Sequence, residues 1–254
     1  MKITKNIIKK SFGALFTLAL IGCQDMDHPE LGDYPTDTGS YTPKDGETLY
    51  SAFENKYFIN SVTGAPATKV GSPEFGDPKI GTYSYKGATS AYLSYPIKGL
   101  FGTTDLSFSF WYKVNATPDR SGIVTVGVVG DTDRKHGLRL FREGSATSQT
   151  LKLITGHGTG DAWNDGAAIK VSDSWVHIAV TISATESKIY FDGVLKNTKT
   201  FSNPIDLIGC TTMEIASGAP TFDYWGHKSD ASLYDDFRVF NKVLTQDEIQ
   251  ALMK

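Results

Sequence analysis

Short segments that alternate apolar and polar residues fill this chain from Thr48 onward, and they limit its fold more than any other feature. In the clearest segment the apolar residues occupy every second position: Leu106, Phe108, Phe110, Tyr112 and Val114. Neighbouring side chains of a β-strand point to opposite faces, so this spacing is typical of a strand with one buried face. Because Gly, Pro, Asn and Asp separate the segments and helical periodicity is almost absent, the sequence predicts an all-β antiparallel two-sheet sandwich.

Eight segments carry the clearest strand pattern: 106–114, 122–129, 137–141, 150–155, 175–183, 188–191, 212–216 and 232–240. Asp192-Gly193 predicts a two-residue hairpin turn, because both residue types tolerate the positive φ angles of such a turn. One short helix is expected at the C-terminus. There Thr245 and Glu248 have the spacing of a capping box and precede the apolar Ile249.

The first 22 residues have the pattern of a secretory signal. Four lysines precede an apolar stretch at 12–21 that is too short for a stable membrane span. The stretch ends in Leu20-Ile21-Gly22-Cys23, which resembles the lipobox of bacterial lipoproteins, in which the cysteine receives a diacylglycerol. We therefore expect cleavage before Cys23 and lipidation of its thiol. The alternative is an ordinary signal peptide in which this cysteine is a coincidence.

Residues 23–47 are polar, acidic and interrupted by prolines, so we expect a flexible linker before a domain at 48–254. The start of this linker, residues 24–27, resembles the export signal that places Bacteroidetes lipoproteins on the outer face of the outer membrane. The alternative interpretation is an acidic linker that carries no export signal. The predicted location is the outer membrane, with the domain exposed at the cell surface.

The charge balance and the cysteines narrow the classes of partner. After removal of residues 1–22, 21 Lys and Arg remain against 28 Asp and Glu, because four of the 25 basic residues lie in the signal. The sequence has no basic stripe of the kind that binds nucleic acid. Once Cys23 is lipidated, Cys210 has no partner, so we expect no disulfide. The lipid is then the predicted contact with the membrane.

Three segments together carry a family resemblance. They are Leu106 to Lys113, then Trp175 to Thr181 with the Tyr190-Phe191-Asp192-Gly193 turn, and finally Tyr234 to Leu244. This order resembles the LamG-like jelly roll of the concanavalin A-like lectin/glucanase superfamily, over roughly Leu49 to Lys254. The resemblance implies two curved antiparallel sheets, frequent carbohydrate or protein recognition, and often a structural calcium ion. A shared fold does not select among those uses.

Glycoside hydrolases of the same superfamily carry paired carboxylates on a Glu-x-Asp-x-x-Glu strand, which this sequence lacks. Asp235 and Asp236 are adjacent, so on a strand their side chains point to opposite faces. A Gly-x-Ser-x-Gly nucleophile motif is also missing. We therefore predict a protein without enzymatic activity.

For calcium, the resemblance points to Asp235 and Asp236 together with Asn60 of the early segment, because calcium prefers carboxylate and carbonyl oxygens. Lys56, which lies near the early residues in sequence, would oppose a cation. The alternative is that Asp235 accepts hydrogen bonds from loop amides while Asp236 pairs with Arg238 or with solvent.

Two glycine-containing segments, 156–166 and 219–227, are the predicted sugar-binding loops. Their expected sugar contacts are Trp163, Asp161, Asn164, Asp165, Trp225, Tyr224, Asp223 and His227. A flat aromatic ring packs on the apolar face of a pyranose, while short polar side chains bond its hydroxyls. Arg139 and Arg142, close by in sequence, are expected to add planar donors. Loop tryptophans also pack as lids over a sandwich, which is the alternative role for both.

The sequence thus predicts a lipid-anchored surface protein that captures a polysaccharide or oligosaccharide. The expected protein partners are the glycan importers of the outer membrane. The first alternative is a protein-binding or adhesion module that uses the same aromatic loops. A glycoside hydrolase with an unrecognised carboxylate arrangement is a second alternative.

Overall fold

A computed structural model describes residues 41–254 of the chain. The predicted signal peptide, Cys23 and the linker up to residue 40 lie outside the described residues. The first described strand begins at Glu47, which is buried and lies one residue before the expected boundary at residue 48. No helix in the described part of the chain is long and apolar enough to cross a membrane.

The described residues form fifteen strands, one turn of 3-10 helix at Glu54–Lys56 and one α-helix, α1, at Gln246–Ala251. The first seven strands are β1 Glu47–Ser51, β2 Thr68–Val70, β3 Glu74–Gly76, β4 Ser84–Lys86, β5 Tyr92–Pro96, β6 Leu106–Lys113 and β7 Arg120–Val126. The next four are β8 Leu138–Gly144, β9 Ser148–Gly156, β10 Asp161–Lys170 and β11 Val176–Ile182. The last four are β12 Glu186–Phe191, β13 Val194–Thr200, β14 Thr212–Ile215 and β15 Leu233–Phe240.

These strands form two antiparallel sheets. The first sheet has the order β13-β12-β11-β6-β15-β4-β3, with β1 also paired to β15. The second sheet has the order β10-β9-β8-β7-β14-β5-β2. All eight predicted strand segments overlap observed strands, and the expected two-sheet sandwich is confirmed. The predicted turn at Asp192-Gly193 joins β12 to β13, with positive φ at both residues.

The core lies between the inner faces of the two sheets. On β6, Leu106, Phe108, Phe110 and Tyr112 are all fully buried, as the alternation predicts. They pack in one cluster with inward residues of the second sheet such as Leu140. Burial of a large apolar side chain stabilises a fold by roughly 1.5–3 kcal/mol, so this inner layer holds the sandwich together.

The outer face of the first sheet is covered by the C-terminal helix. Leu244, Ile249 and Leu252 pack on Ala179 and Tyr190 of the sheet. The predicted capping box is present, since the Glu248 amide donates to Thr245 Oγ1 at 3.2 Å and the Thr245 amide donates to Glu248 Oε2 at 2.7 Å. The helix therefore starts where the sequence predicts, and the residues just before it bond to Ser107 on the outer face of β6.

The segment 156–166 differs from its prediction as a loop. Asp161–Lys170 forms the edge strand β10, with Trp163 opposite Ile154 of β9. The strand is irregular because a bulge interrupts the pairing between Asn164 and Ala167. Gly166 lies in this bulge with φ of +61°, and a Cβ there would lie 1.6 Å from the Leu151 carbonyl oxygen. The glycines that indicated a loop therefore allow a bulged strand.

Arg142 is not a sugar ligand, because it is fully buried inside the sandwich. Its Nη2 donates to Asp230 Oδ1 at 2.7 Å, and its Nη1 donates to the Gln149 side chain and the Pro118 carbonyl, each at 2.8 Å. Tyr112 and Tyr234 donate their hydroxyls to Asp230 Oδ2, both at 2.6 Å. Burial raises the pKa of both phenols well above its usual range, so they remain donors.

We expect Arg142→Met to lower the free energy of unfolding by about 3–5 kcal/mol, because it leaves the Asp230 charge buried without its cation. Urea denaturation followed by far-UV circular dichroism measures this loss. Lys196→Met, at an exposed position of β13, is the control and should change stability by less than about 0.5 kcal/mol. Similar stabilities for the two variants would contradict the structural role assigned to Arg142.

Candidate functional site

A cavity of about 240 Å³ lies on the outer face of the second sheet, beneath the loop between β14 and β15. Its lining residues are Arg120, Arg134, Phe141, Glu143, Trp163, Phe222, Trp225 and His227. The sheet contributes outward side chains of β8 and β10, while residues 222–227 come from the loop. The site is thus built from segments that are distant in sequence.

Two close backbone contacts bring this loop onto the sheet. Ser217 and Ser229 form an isolated antiparallel bridge that closes the base of the loop. Gly122 of β7 and Gly218 approach so closely that a Cβ on Gly122 would lie 2.1 Å from the Gly218 nitrogen. Only glycine at position 122 allows this contact, and the loop residues then reach the outward face of β8.

The floor of the cavity is aromatic. Phe222 stacks on His227 with ring centroids 4.7 Å apart and an interplanar angle of 13°. Phe141 meets both rings edge-on, at 5.3 Å from Phe222 and 4.6 Å from His227. Because these rings are buried against one another, the floor is rigid and apolar.

Two tryptophans stand at the cavity and remain accessible. Trp163 is 39% exposed and packs edge-on against Phe141 at 6.1 Å. Trp225 is 57% exposed and lies 5.8 Å from Tyr224. Exposed tryptophans beside a partly enclosed cavity provide large flat surfaces for a ligand.

The charged groups at the cavity are unequally neutralised. Arg134 Nε lies 2.7 Å from Asp161 Oδ2, and Glu143 Oε1 lies 2.8 Å from Lys152 Nζ. Lys152 lowers the pKa of Glu143, which is therefore ionised at neutral pH. Arg120, by contrast, makes one 3.4 Å hydrogen bond, to the Trp225 carbonyl.

His227 presents a neutral imidazole to the cavity. Burial lowers its pKa to about 4, even though Glu143 Oε2 lies 3.6 Å from Nε2 and favours the charged form. A separation of 3.6 Å exceeds a normal hydrogen bond. Both ring nitrogens are buried and lack a hydrogen-bond partner within the described part of the chain, so the imidazole belongs to the floor of the cavity.

The structure brings three of the predicted sugar residues to this cavity, namely Trp163, Trp225 and His227. Asp161 supports it from behind through its ion pair with Arg134, and Tyr224 is fixed beside it by a 3.1 Å bond to the Thr132 carbonyl. Asp165 is exposed and Asp223 is half-buried, and neither lines the cavity.

Arg139 and Asn164 do not reach the cavity as predicted. Arg139 is fully buried beneath the loop, with its guanidinium 5.8 Å from the Phe222 ring and a 2.8 Å bond to the His136 carbonyl. Asn164 points inward because the neighbouring Trp163 points outward, and it donates to the Ser187 carbonyl at 3.1 Å. Both are structural residues.

The residues proposed for calcium do not fit a metal site. Asp235 Oδ2 accepts the amides of Lys79 and Ile80 at 2.7 and 2.9 Å, while Asp236 forms a two-bond ion pair with Arg238. Asn60 Oδ1 accepts the backbone amides of Tyr50 in β1 and of Val62. Their oxygens already serve protein donors, which is the alternative considered from the sequence. Within residues 41–254, no group of three or more acidic, His or Cys side chains is arranged to hold a metal.

Sequence reasoning missed five lining residues: Arg120, Arg134, Phe141, Glu143 and Phe222. Phe141 and Glu143 share the outward face of β8, so the alternation of that strand contained a signal for the pair. Arg120 and Arg134 lie at a strand start and in a turn, and nothing local connects them to the tryptophans. Phe222 lies within the segment predicted as a sugar loop but was not singled out.

The family model described as the concanavalin A-like lectin/glucanases superfamily matches residues 87–250. This match spans most of both sheets, the cavity and helix α1. The chain belongs to that superfamily. No curated protein matches this chain in sequence.

Solved structures agree with this fold. Domain 4 of AbnA, a GH43 extracellular arabinanase from Geobacillus stearothermophilus, in complex with arabinotriose, has a TM-score of 0.61 at 18% identity, over 82% of this chain and 98% of that domain. The binding domain of botulinum neurotoxin serotype C1 has a TM-score of 0.55 at 16% identity, and that of Paraclostridial Mosquitocidal Protein 1 has 0.56 at 15%. Both toxin alignments cover 82% of this chain and 51% of the toxin domain. These identities establish the fold alone.

The buried His227 predicts a defined pH dependence of stability. Its folded pKa of about 4 lies below the ordinary value of 6.5, so the unfolded chain takes up the proton first as pH falls between these values. The stability that the neutral imidazole provides is complete above pH 6.5 and is progressively lost toward pH 4. His227→Phe removes this titration. Between pH 7 and pH 5 its free energy of unfolding should therefore fall by about 2 kcal/mol less than that of wild type.

Urea denaturation at both pH values measures this difference. His177, whose pKa burial also lowers to about 4, is present in both proteins, so the comparison isolates His227. Equal losses of stability for wild type and His227→Phe would show that this histidine is not held neutral by the fold.

Proposed function

We propose that this domain binds carbohydrate in the cavity between Trp163 and Trp225. The observation that carries this proposal is the placement of two exposed tryptophans beside a partly enclosed cavity whose rim bears Arg120, Arg134 and Glu143. Aromatic surface with a few fixed polar groups suits a sugar, which has an apolar ring face and a polar edge. The buried aromatic floor holds these groups in place before a ligand arrives.

The site supports binding without catalysis. Glycoside hydrolysis by the usual mechanisms needs two carboxyl groups that flank the bond, about 5–10 Å apart. Glu143 is the one carboxylate among the residues that line the cavity, and Lys152 holds it in an ion pair. Asp161 lies behind the rim and is bonded to Arg134. We therefore propose a capture protein that leaves its glycan unchanged.

The similarity to the arabinotriose-bound arabinanase domain supports this proposal by analogy, because that domain has the same architecture and holds an oligosaccharide. The fold match alone does not transfer the ligand. The two exposed tryptophans beside the cavity are the features that make the analogy specific to this chain.

We further propose that the domain acts at the surface of a Bacteroidetes-type cell, anchored in the outer membrane through Cys23. The lipobox-like residues 20–23 and the acidic residues that follow support this location. Many anchored copies on one cell would compensate for weak individual sugar contacts through multivalency. Such a protein would collect glycans for importers in the same membrane, which are its proposed protein partners.

Trp163→Ala and Trp225→Ala should each weaken glycan binding at least about tenfold, which corresponds to about 1.4 kcal/mol of lost contact. Glycan-array screening of the fragment 24–254 identifies the ligand, and isothermal titration calorimetry measures the affinities. Trp175→Ala, next to β11 of the other sheet, is the matched control and should bind as wild type does.

Three outcomes of that experiment are informative. Unchanged affinity in both cavity variants would place the sugar elsewhere. Release of shorter products from the bound glycan would contradict the proposal of a protein without catalysis. If no glycan on a broad array bound, and one envelope protein was captured in a manner that depended on Trp225, the adhesion alternative would be favoured.

Cys23→Ala should abolish lipid attachment and release the protein into the soluble fraction. Expression of the full chain in a Bacteroidetes host with an alkyne fatty acid measures labelling, and proteolysis of intact cells measures surface exposure. Cys210→Ala is the matched control, because it removes the other cysteine and should leave labelling unchanged. Label on the Cys23→Ala protein would contradict the predicted anchor.

A further inference from the structure

We propose that the cavity selects sugars that carry a carboxylate, and that Arg120 is the residue that binds this group. The inference rests on the proposed carbohydrate site and specifies the chemical class of its ligand. The charged groups around the cavity differ in how closely groups of opposite charge approach them.

Three cations surround the cavity, and each has a neighbouring carboxylate. Arg134 is held by Asp161 at 2.7 Å, and Lys152 is held by Glu143 at 2.8 Å. The carboxylate nearest to Arg120 is Asp119, whose Oδ1 lies 3.8 Å from Nε. Asp119 is also strongly exposed, and exposed pairs at such distances contribute little. Glu143 lies opposite Arg120 across β7 and β8 and attracts it, but its close ion pair is with Lys152. Among the described residues, Arg120 is therefore the cation at this site without a close carboxylate of its own.

The position of Arg120 suits a ligand that packs on the tryptophans. Its Nη1 bonds the Trp225 carbonyl at 3.4 Å, and its Cδ lies 3.2 Å from the point where a Cβ on Gly226 would stand. The aliphatic part of the side chain thus runs over Gly226, beside Trp225, and the side chain as a whole remains 46% exposed at the cavity. Gly226 has a φ of +83°, a conformation that favours glycine and leaves room for this packing.

A carboxylated pyranose matches this arrangement. Its ring presents an apolar face to a tryptophan, and its carboxylate projects from the ring edge toward polar groups. Guanidinium groups bind carboxylates through two parallel hydrogen bonds, which add both energy and geometric specificity. Neutral His227 adds no charge to the site at pH 7. The negative charge of Glu143 opposes an acidic ligand, but its ion pair with Lys152 reduces this repulsion.

Matched polysaccharide pairs test the inference. Each pair consists of a polyuronate and its carboxyl-reduced form, so the linkage and the ring stereochemistry stay the same. The polyuronates are polygalacturonate, polyglucuronate and polymannuronate. We expect wild type to bind at least one polyuronate about tenfold or more tightly than its reduced partner. This preference should fall as salt rises, because ion pairing at an accessible site is screened.

Arg120→Gln should remove the preference, because the affinity for the polyuronate falls about tenfold further than the affinity for its reduced form. Arg120→Lys keeps the charge but lacks the planar fork, so it should restore part of the preference. Lys196→Gln, which removes one positive charge from the exposed edge strand β13, is the charge-matched control and should retain the full preference.

The outcomes separate this inference from the proposed function. Binding of neutral glycans that depends on the tryptophans, without preference for any polyuronate, would overturn the acidic-sugar inference and leave the sugar site standing. If Arg120→Gln lowered the affinity for both polymers equally, the inference would also be overturned, because the arginine would then contribute to binding without recognising the carboxylate. Absence of binding to every glycan tested would overturn both proposals.

Discussion

The buried carboxylate of Asp230 joins the two sheets and the loop that covers the cavity. It accepts hydrogen bonds from Tyr112 and Tyr234 of the first sheet and from Arg142 of the second. Its own amide donates to the Ala216 carbonyl at 2.8 Å, at the base of the loop. A buried ion pair is costly unless all its partners are present, so this cluster favours one relative placement of the sheets and loop.

That placement determines what the outer face of the second sheet can do. The loop residues Phe222 and His227 pack on Phe141 of β8, which creates an aromatic floor where the sheet alone would expose one phenylalanine. Trp163 on the edge strand and Trp225 on the loop then face a common cavity. Because the supporting rings are buried, binding a ligand does not require their ordering, which lowers the entropic cost of association.

The charged groups around the cavity bear on which ligands the proposed site would select. Arg134 and Glu143 have close partners of opposite sign, and they fix the rim more than they attract a ligand. Among the described residues, Arg120 has no equally close carboxylate, and it is held near Trp225. The proposed site, with one weakly neutralised guanidinium beside a flat aromatic surface, would distinguish ligands by charge as well as by ring shape. Anchoring at a cell surface would add avidity without changing that distinction.

The sequence by itself determined the two-sheet fold and the terminal helix, because strand alternation and a capping box are local patterns. It also predicted Trp163 and Trp225 as sugar contacts, with lids over the sandwich as their alternative role, and the structure leaves both rings exposed beside one cavity. Only the tertiary structure decided that Arg142 is buried against Asp230 while Arg120 lines the cavity. The physical reason is that the role of a charge depends on the partner that neutralises it, and these partners are brought together only by sheet pairing and loop packing.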